Sequence, residues 1–104
     1  MRKVFISQPM NGKTQEDIIS ARIQAQEIVE KELGEKVEVL DSFFEDFSGD
    51  ALESLSRSIS LLAKADVAYF VTGWENSRGC KIEHDCAVQY GIPVMTWQEF
   101  VCML

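Results

Sequence analysis

The spacing of apolar residues changes repeatedly along this chain, and each change marks an element. Residues 3–7 (KVFIS) form a short apolar run rich in strand formers. Residues 8–13 (QPMNGK) break it as a loop, with Pro9, Asn11 and Gly12 as turn formers. Thr14 and Asp17 then supply a Thr-x-x-Asp helix start, a weaker relative of the capping box. A helical period follows to about Leu33, where Gly34 closes it. Ile18, Ala21, Ala25, Ile28 and Val29 share its inner stripe, and Glu16, Glu27, Glu30 and Lys31 stay outside. Residues 36–40 (KVEVL) alternate apolar and charged, as an edge strand with one wet face does. Residues 41–50 (DSFFEDFSGD) make a loop with three phenylalanines, long for a connection between elements. A second helix covers about residues 51–63, with Leu52, Leu55, Ile59 and Leu62 as its core stripe.

Residues 67–71 (VAYFV) are apolar without interruption, which suits a strand covered on both faces. Residues 73–77 (GWENS) are too polar and turn-prone to continue it. From Arg78 the helical period returns and stops at Gly91 and Pro93. Gly79, Glu83, Cys86, Ala87 and Tyr90 fall on its packing stripe, whereas Lys81, Asp85 and Gln89 point away. A short strand at 92–96 and a final helical turn or two at 97–104 complete the chain. The regular β-α alternation predicts an α/β fold: a flavodoxin- or Rossmann-like three-layer sandwich. Its four parallel strands are expected in the order 2-1-3-4, within a single domain spanning residues 1–104.

In such a sheet the strands' carboxyl ends meet ligands at the switch point. The loops after strands one and three bring Ser7, Gln8, Asn11, Gly12, Ser77 and Gly79 there. Hydroxyls, amides and glycines beside two helix starts suit a small anion or a sugar. Phe43, Phe44 and Trp74 are candidates to stack on a base, although core or interface burial accounts equally well for each phenylalanine. Trp74, in a polar loop, is harder to place in a core. Glu83 is the residue out of place. It sits mid-stripe, one turn into its helix, either solvated at the crevice mouth or functional. The helix dipole alone also favours an acid near a helix start.

Composition narrows the function. A chain of 104 residues with 46% apolar content supports one folded core. A net charge of −7 argues against a nucleic-acid polymer as ligand, but not against a mononucleotide held by backbone N–H groups. No signal peptide and no membrane-spanning run is visible, so the three cysteines are expected as free thiols in a reducing cytoplasm. Cys80 and His84 lie at i, i+4 with Cys86 nearby, but the wheel separates Cys86 from His84. Buried thiols and a surface histidine are therefore expected rather than a metal site. A cysteine-nucleophile hydrolase lacks an orienting pattern around His84. Asp66, at a strand start, reads as structural. The apolar load at Phe100, Val101, Met103 and Leu104 predicts a homodimer or larger assembly.

Several short motifs together resemble the nucleoside 2-deoxyribosyltransferase superfamily, which includes the 2'-deoxynucleoside 5'-phosphate N-hydrolases. They are the VFIS strand, the loop ending Asn11-Gly12, Ala65-Asp66-Val67, and Ser77-x-Gly79-x3-Glu83 followed by Ala87-Val88 and Tyr90-Gly91. The similarity covers most of the chain in order and is nearest to small bacterial and phage members. The resemblance implies cofactor-free cleavage or transfer at the N-glycosidic bond of a nucleoside or its 5'-monophosphate. Glu83 matches the nucleophile that attacks the anomeric carbon, Ser77 the position that binds the 5'-phosphate in the hydrolases, and Gly79 the glycine that lets the ligand approach. Two positions depart from that pattern. Val4 and Phe5 stand where the family places a first-strand tyrosine, and Ser58 stands where it carries an aspartate. Asp41, Asp46, Asp50, Glu75 or a neighbouring subunit are the candidate replacements. Loss of an acid of this kind favours the alternative, a non-catalytic nucleotide-binding module on the same fold.

Overall fold

The computed structural model describes residues 1–10, 12–40 and 51–96. Its elements run β1 (Arg2–Ser7), α1 (Gln15–Leu33), β2 (Val37–Val39), α2 (Ala51–Leu62), β3 (Val67–Phe70), a 3-10 turn (Trp74–Asn76), α3 (Arg78–Gln89) and β4 (Val94–Thr96). All strand pairs are parallel and the order is β2-β1-β3-β4, as the β-α alternation predicts.

Side chains alternate across a strand, so a strand covered on both faces needs apolar residues at every position. β1 and β3 meet that demand. On one face Val4, Ile6, Val67 and Tyr69 pack with Ala25 and Val29 of α1. On the other, Phe5, Ala68 and Phe70 pack with Leu62 of α2 and Ala87 of α3. α2 and α3 also pack on each other, which gives the expected three layers. Each fully buried large side chain contributes about 1.5–3 kcal/mol of transfer free energy. At the edge, β2 keeps the expected alternation: Val37 is buried and Glu38 exposed.

The helix signals act as read. Thr14 Oγ1 accepts from the Asp17 amide at 3.1 Å, and Gly34 takes the left-handed conformation while its N–H bonds Glu30 O. Two assignments differ. Leu52, expected in the core stripe of α2, is 74% exposed. Burial along that helix rises toward its C-terminus, through half-buried Leu55 and Ile59 to buried Leu62, so the first turn stands clear of the sheet. Tyr90, expected on the packing stripe of α3, is 85% exposed. The helix ends at Gln89, and Tyr90 has left helical geometry at φ −101°, ψ 11°, so the wheel no longer applies to it. The strands at 36–40, 67–71 and 92–96 are each shorter than expected, and Pro93 lies just before β4. The loop at 41–50, the final helix at 97–104 and its Phe100, Val101, Met103 and Leu104 lie outside the described residues.

Asp66 is structural, as expected. Its N–H donates to Lys3 O at 2.7 Å, and its Oδ2 accepts from the Lys3 N–H at 2.8 Å. This two-way bond aligns the start of β3 with β1. Asp66→Ala removes one of the two bonds and is expected to cost about 1 kcal/mol of unfolding free energy. Urea denaturation checks this; an unchanged midpoint would remove Asp66 from the register-setting contacts.

Candidate functional site

Ser7 is the last residue of β1 and lies on the same side of the strand as Phe5, the side facing α2 and α3. Its hydroxyl therefore emerges at the carboxyl edge of the sheet, under those two helices. Glu83, on the buried face of α3, comes down to meet it. Ser7 Oγ donates to Glu83 Oε1 at 2.6 Å, a bond between residues 76 positions apart. The distance is that of a short O–H···O hydrogen bond. Ser58 of α2 lies near enough to the same carboxyl to lower its pKa. Cys80, one turn before Glu83, is buried, and its thiol shares hydrogen bonds with Ser7 and Ser77. Three elements thus converge on one carboxyl group.

The electrostatics follow from burial. Glu83 is 7% exposed. Desolvation pushes its carboxyl above the usual carboxylate range, and the hydroxyls of Ser7 and then Ser58 pull it back down. Desolvation also raises the Cys80 thiol; the bonds to Ser7 and Ser77 oppose this and the Glu83 charge adds to it. Cys80 is therefore a poor thiolate, consistent with a buried structural cysteine. A desolvated carboxyl served only by hydroxyls is costly to keep. Perturbed acids of this kind concentrate at functional sites.

The buried face of α3 is formed by Cys80, Glu83 and Ala87. It is rotated by roughly 50° from the stripe expected through Gly79, Cys86 and Tyr90. That rotation also changes His84. Expected at the surface, it is half-buried, stacked on Trp74 with ring centroids 4.2 Å apart and edge-on to Phe70 at 5.0 Å. Trp74 is correspondingly held by packing. One indole face is taken by His84, the ring tilts against Phe70, and its buried Nε1 has no acceptor among the described residues. It joins the second core cluster rather than standing free as a base platform.

The remaining expected residues separate into distinct groups. Gln8 is buried and spends its amide on the protein: Nε2 donates to Ile18 O at 3.0 Å and Oε1 accepts from Arg22 at 3.1 Å. Ser77 caps α3, its Oγ accepting from the Cys80 N–H at 3.4 Å. A Cβ added at Gly79 or Gly12 would meet no atom of the described residues within 4 Å apart from its own chain neighbours and helix backbone, and Gly12 is left-handed at φ 75°. Glu75 is exposed on the 3-10 turn. Asn11, Phe43 and Phe44, with the candidate acids Asp41, Asp46 and Asp50, lie outside the described residues. Arg22 was not anticipated. Its guanidinium also donates to Leu40 O at 3.1 Å, so it ties the carboxyl ends of β1 and β2 together. Its signal was a charge at the margin of the α1 packing stripe, beside Ile18 and Val29. Among the described residues, no three His, Cys, Asp or Glu side chains are grouped to hold a metal, and no helix is long and apolar enough to cross a membrane.

A family model described as a domain of unknown function (DUF4406) matches residues 2–96. A search of curated proteins finds no match. Among solved structures, a 2-deoxyribosyltransferase from Bacillus psychrosaccharolyticus superposes with a TM-score of 0.58 at 19% identity, over 90% of this chain and 70% of that one. The fold is therefore nucleoside 2-deoxyribosyltransferase-like.

The raised Glu83 carboxyl has a consequence for stability. Folding is favoured while native and unfolded chains both hold the proton. As pH rises from the ordinary carboxylate range through the raised native value, the unfolded chain ionises first and stability falls. Glu83→Gln removes that loss. It is expected to melt several degrees above wild type at neutral pH, since ~1 kcal/mol moves Tm by ~4–8 °C in a domain of this size. The two melting curves should converge below about pH 4. Scanning calorimetry across pH checks this, and a variant less stable than wild type at neutral pH would contradict the assigned burial cost.

Proposed function

We propose, for a chain that belongs to the DUF4406 family and carries a nucleoside 2-deoxyribosyltransferase-like fold, that it cleaves or transfers at the N-glycosidic bond of a nucleoside or nucleoside 5'-monophosphate. The observation that carries this reading is the buried Glu83 carboxyl, held by Ser7 and Ser58 at the carboxyl edge of the sheet. A carboxylate fixed there can attack the anomeric carbon of a bound sugar. The base leaves, a glycosyl ester forms on Glu83, and water or a second base resolves it. Ser7 and Ser58 hold the carboxylate and favour its charged form. The start of α3, with Ser77 and the open space at Gly79, receives the sugar or its 5'-phosphate through backbone N–H groups. Gly12 borders the same edge from the β1–α1 loop. The similarity to a solved 2-deoxyribosyltransferase supports this chemistry.

The second reading is a module that binds a nucleotide without turning it over. Val4, Phe5 and Ser58 favour it, because an acid and a phenol are replaced by groups that do not donate a proton readily. Tight binding by calorimetry with no base release would decide for this module. A self-associating chain fits either reading: Ile19 and Ile23, one turn apart on α1, are both exposed. Light scattering at micromolar concentration is expected to give a dimer or larger species, and a monomer would contradict it.

The direct test is incubation with ribo- and deoxyribonucleosides and their 5'-monophosphates, following free base by chromatography. Wild type is expected to release base and Glu83→Gln to release none; release that survives this substitution would sink the reading. Ser7→Ala should lower kcat by about 10- to 100-fold, the scale of one lost bond to a charged group at ~1.5–3 kcal/mol.

A further inference from the structure

Resting on the reading of Glu83 as nucleophile, we infer that this site selects N-glycosides whose base already carries a positive charge, such as N7-alkylated purine and pyridinium nucleosides. The argument is an account of protons around the carboxyl. A serine hydroxyl has one proton to give. That of Ser7 is donated to Glu83 Oε1 at 2.6 Å, and Ser58 is near enough to favour the charged form of the same carboxyl. The Cys80 thiol is tied to Ser7 and Ser77, and burial makes it less acidic. The His84 ring is stacked on Trp74 and set edge-on to Phe70. The described groups around Glu83 therefore hold an anion and stabilise developing positive charge. The Ser7 proton is directed at the nucleophile.

This matters because of what leaves. When C1'–N breaks in a neutral nucleoside, the electron pair goes to the base nitrogen and the base departs as an anion unless it gains a proton. General acid help at that step is worth ~10²–10⁴-fold. A cationic base takes the same electron pair and departs neutral, with no proton transferred. The Glu83 Oε–C1' bond forms as C1'–N breaks. A water oxygen then displaces the carboxylate and its proton goes to solvent. Binding favours the same class. Burial opposes the charged form of Glu83, and a ligand cation beside it offsets that opposition. The net charge of −7 adds a long-range attraction of the same sign.

Guanosine and 7-methylguanosine make the matched pair, differing by one methyl and one charge, with nicotinamide riboside as the pyridinium case. Base release is followed by chromatography for the ribosides and 2-deoxyribosides, with Glu83→Gln as the measure of spontaneous cleavage. Release from 7-methylguanosine is expected to exceed that from guanosine by ~100-fold or more in kcat/KM, beyond the ratio of their spontaneous rates. The pH profile with nicotinamide riboside, whose pyridinium charge does not titrate, should rise as Glu83 ionises and show no falling alkaline limb. Comparable rates for the pair at a pH where 7-methylguanosine is cationic, or a falling alkaline limb with nicotinamide riboside, would show that a proton donor acts in the site. That result overturns the substrate class and leaves Glu83 as nucleophile. No Glu83-dependent release from any probe, cationic ones included, overturns both.

Discussion

The bond from Ser7 to Glu83 is the contact on which the upper edge of this molecule depends. It joins the last residue of the central strand to the second turn of α3 across most of the chain's length. A carboxyl buried on a helix face that packs against a sheet is unfavourable by itself. The arrangement holds because β1 ends on a serine and not on another valine or phenylalanine. Moving that serine by one position would turn its hydroxyl to the α1 face. Ser58, from α2, also favours the charged form of Glu83. The site is therefore assembled by strand alternation and helix packing, and its precision rests on the rigidity of the elements around it.

The architecture was readable because its signals are local and repeated. The apolar runs of β1 and β3, the Thr14 cap and the Gly34 stop each report on a few neighbouring residues, and all point to one alternating fold. Glu83 was also legible, as a carboxylate in an apolar stripe. What the sequence did not show are relations between stripes. The direction that α3 presents to the sheet differs from the periodicity by a rotation that small residues such as Ala87 permit. That rotation buries Cys80 and decides where His84 goes. Ser58 lay in the α2 stripe between Leu55 and Ile59, and Arg22 at the margin of the α1 stripe, beside Ile18 and Val29. Both were visible as polar exceptions of the same kind as Glu83. Each is explained only once the facing element is known.

Gln8 and Trp74 show how a site can be surrounded by residues with the right chemistry and the wrong availability. An amide at the end of β1 suits a sugar, yet both ends of Gln8 are committed to α1. An indole beside the crevice suits a base, yet His84 already covers one face of it. Both residues shape the edge of the sheet. Gln8 and Arg22 set the distance between the ends of β1 and β2, and the Trp74–His84 stack anchors the 3-10 turn to α3. Among the described residues, what remains at the centre is a carboxyl, the Ser7 hydroxyl directed at it, Ser58 nearby and the start of α3.

That set of groups separates two demands that catalysis at an N-glycosidic bond usually makes together. One is a carboxylate that can meet a developing cation; the other is a proton for the departing base. The first is supplied by the serine hydroxyls, which favour the charged form of Glu83 against the burial that opposes it. The second needs an acid whose proton is free while the carboxylate is charged. Placing such an acid beside Glu83 would set two carboxyls against each other, so that one of them holds a proton that serine does not. With Ser58 in that place the carboxylate is held without a competing negative charge. Among the described residues, Glu83 is then the one carboxyl that these hydroxyls serve, and on the proposed reading the charge of the ligand becomes the variable that matters.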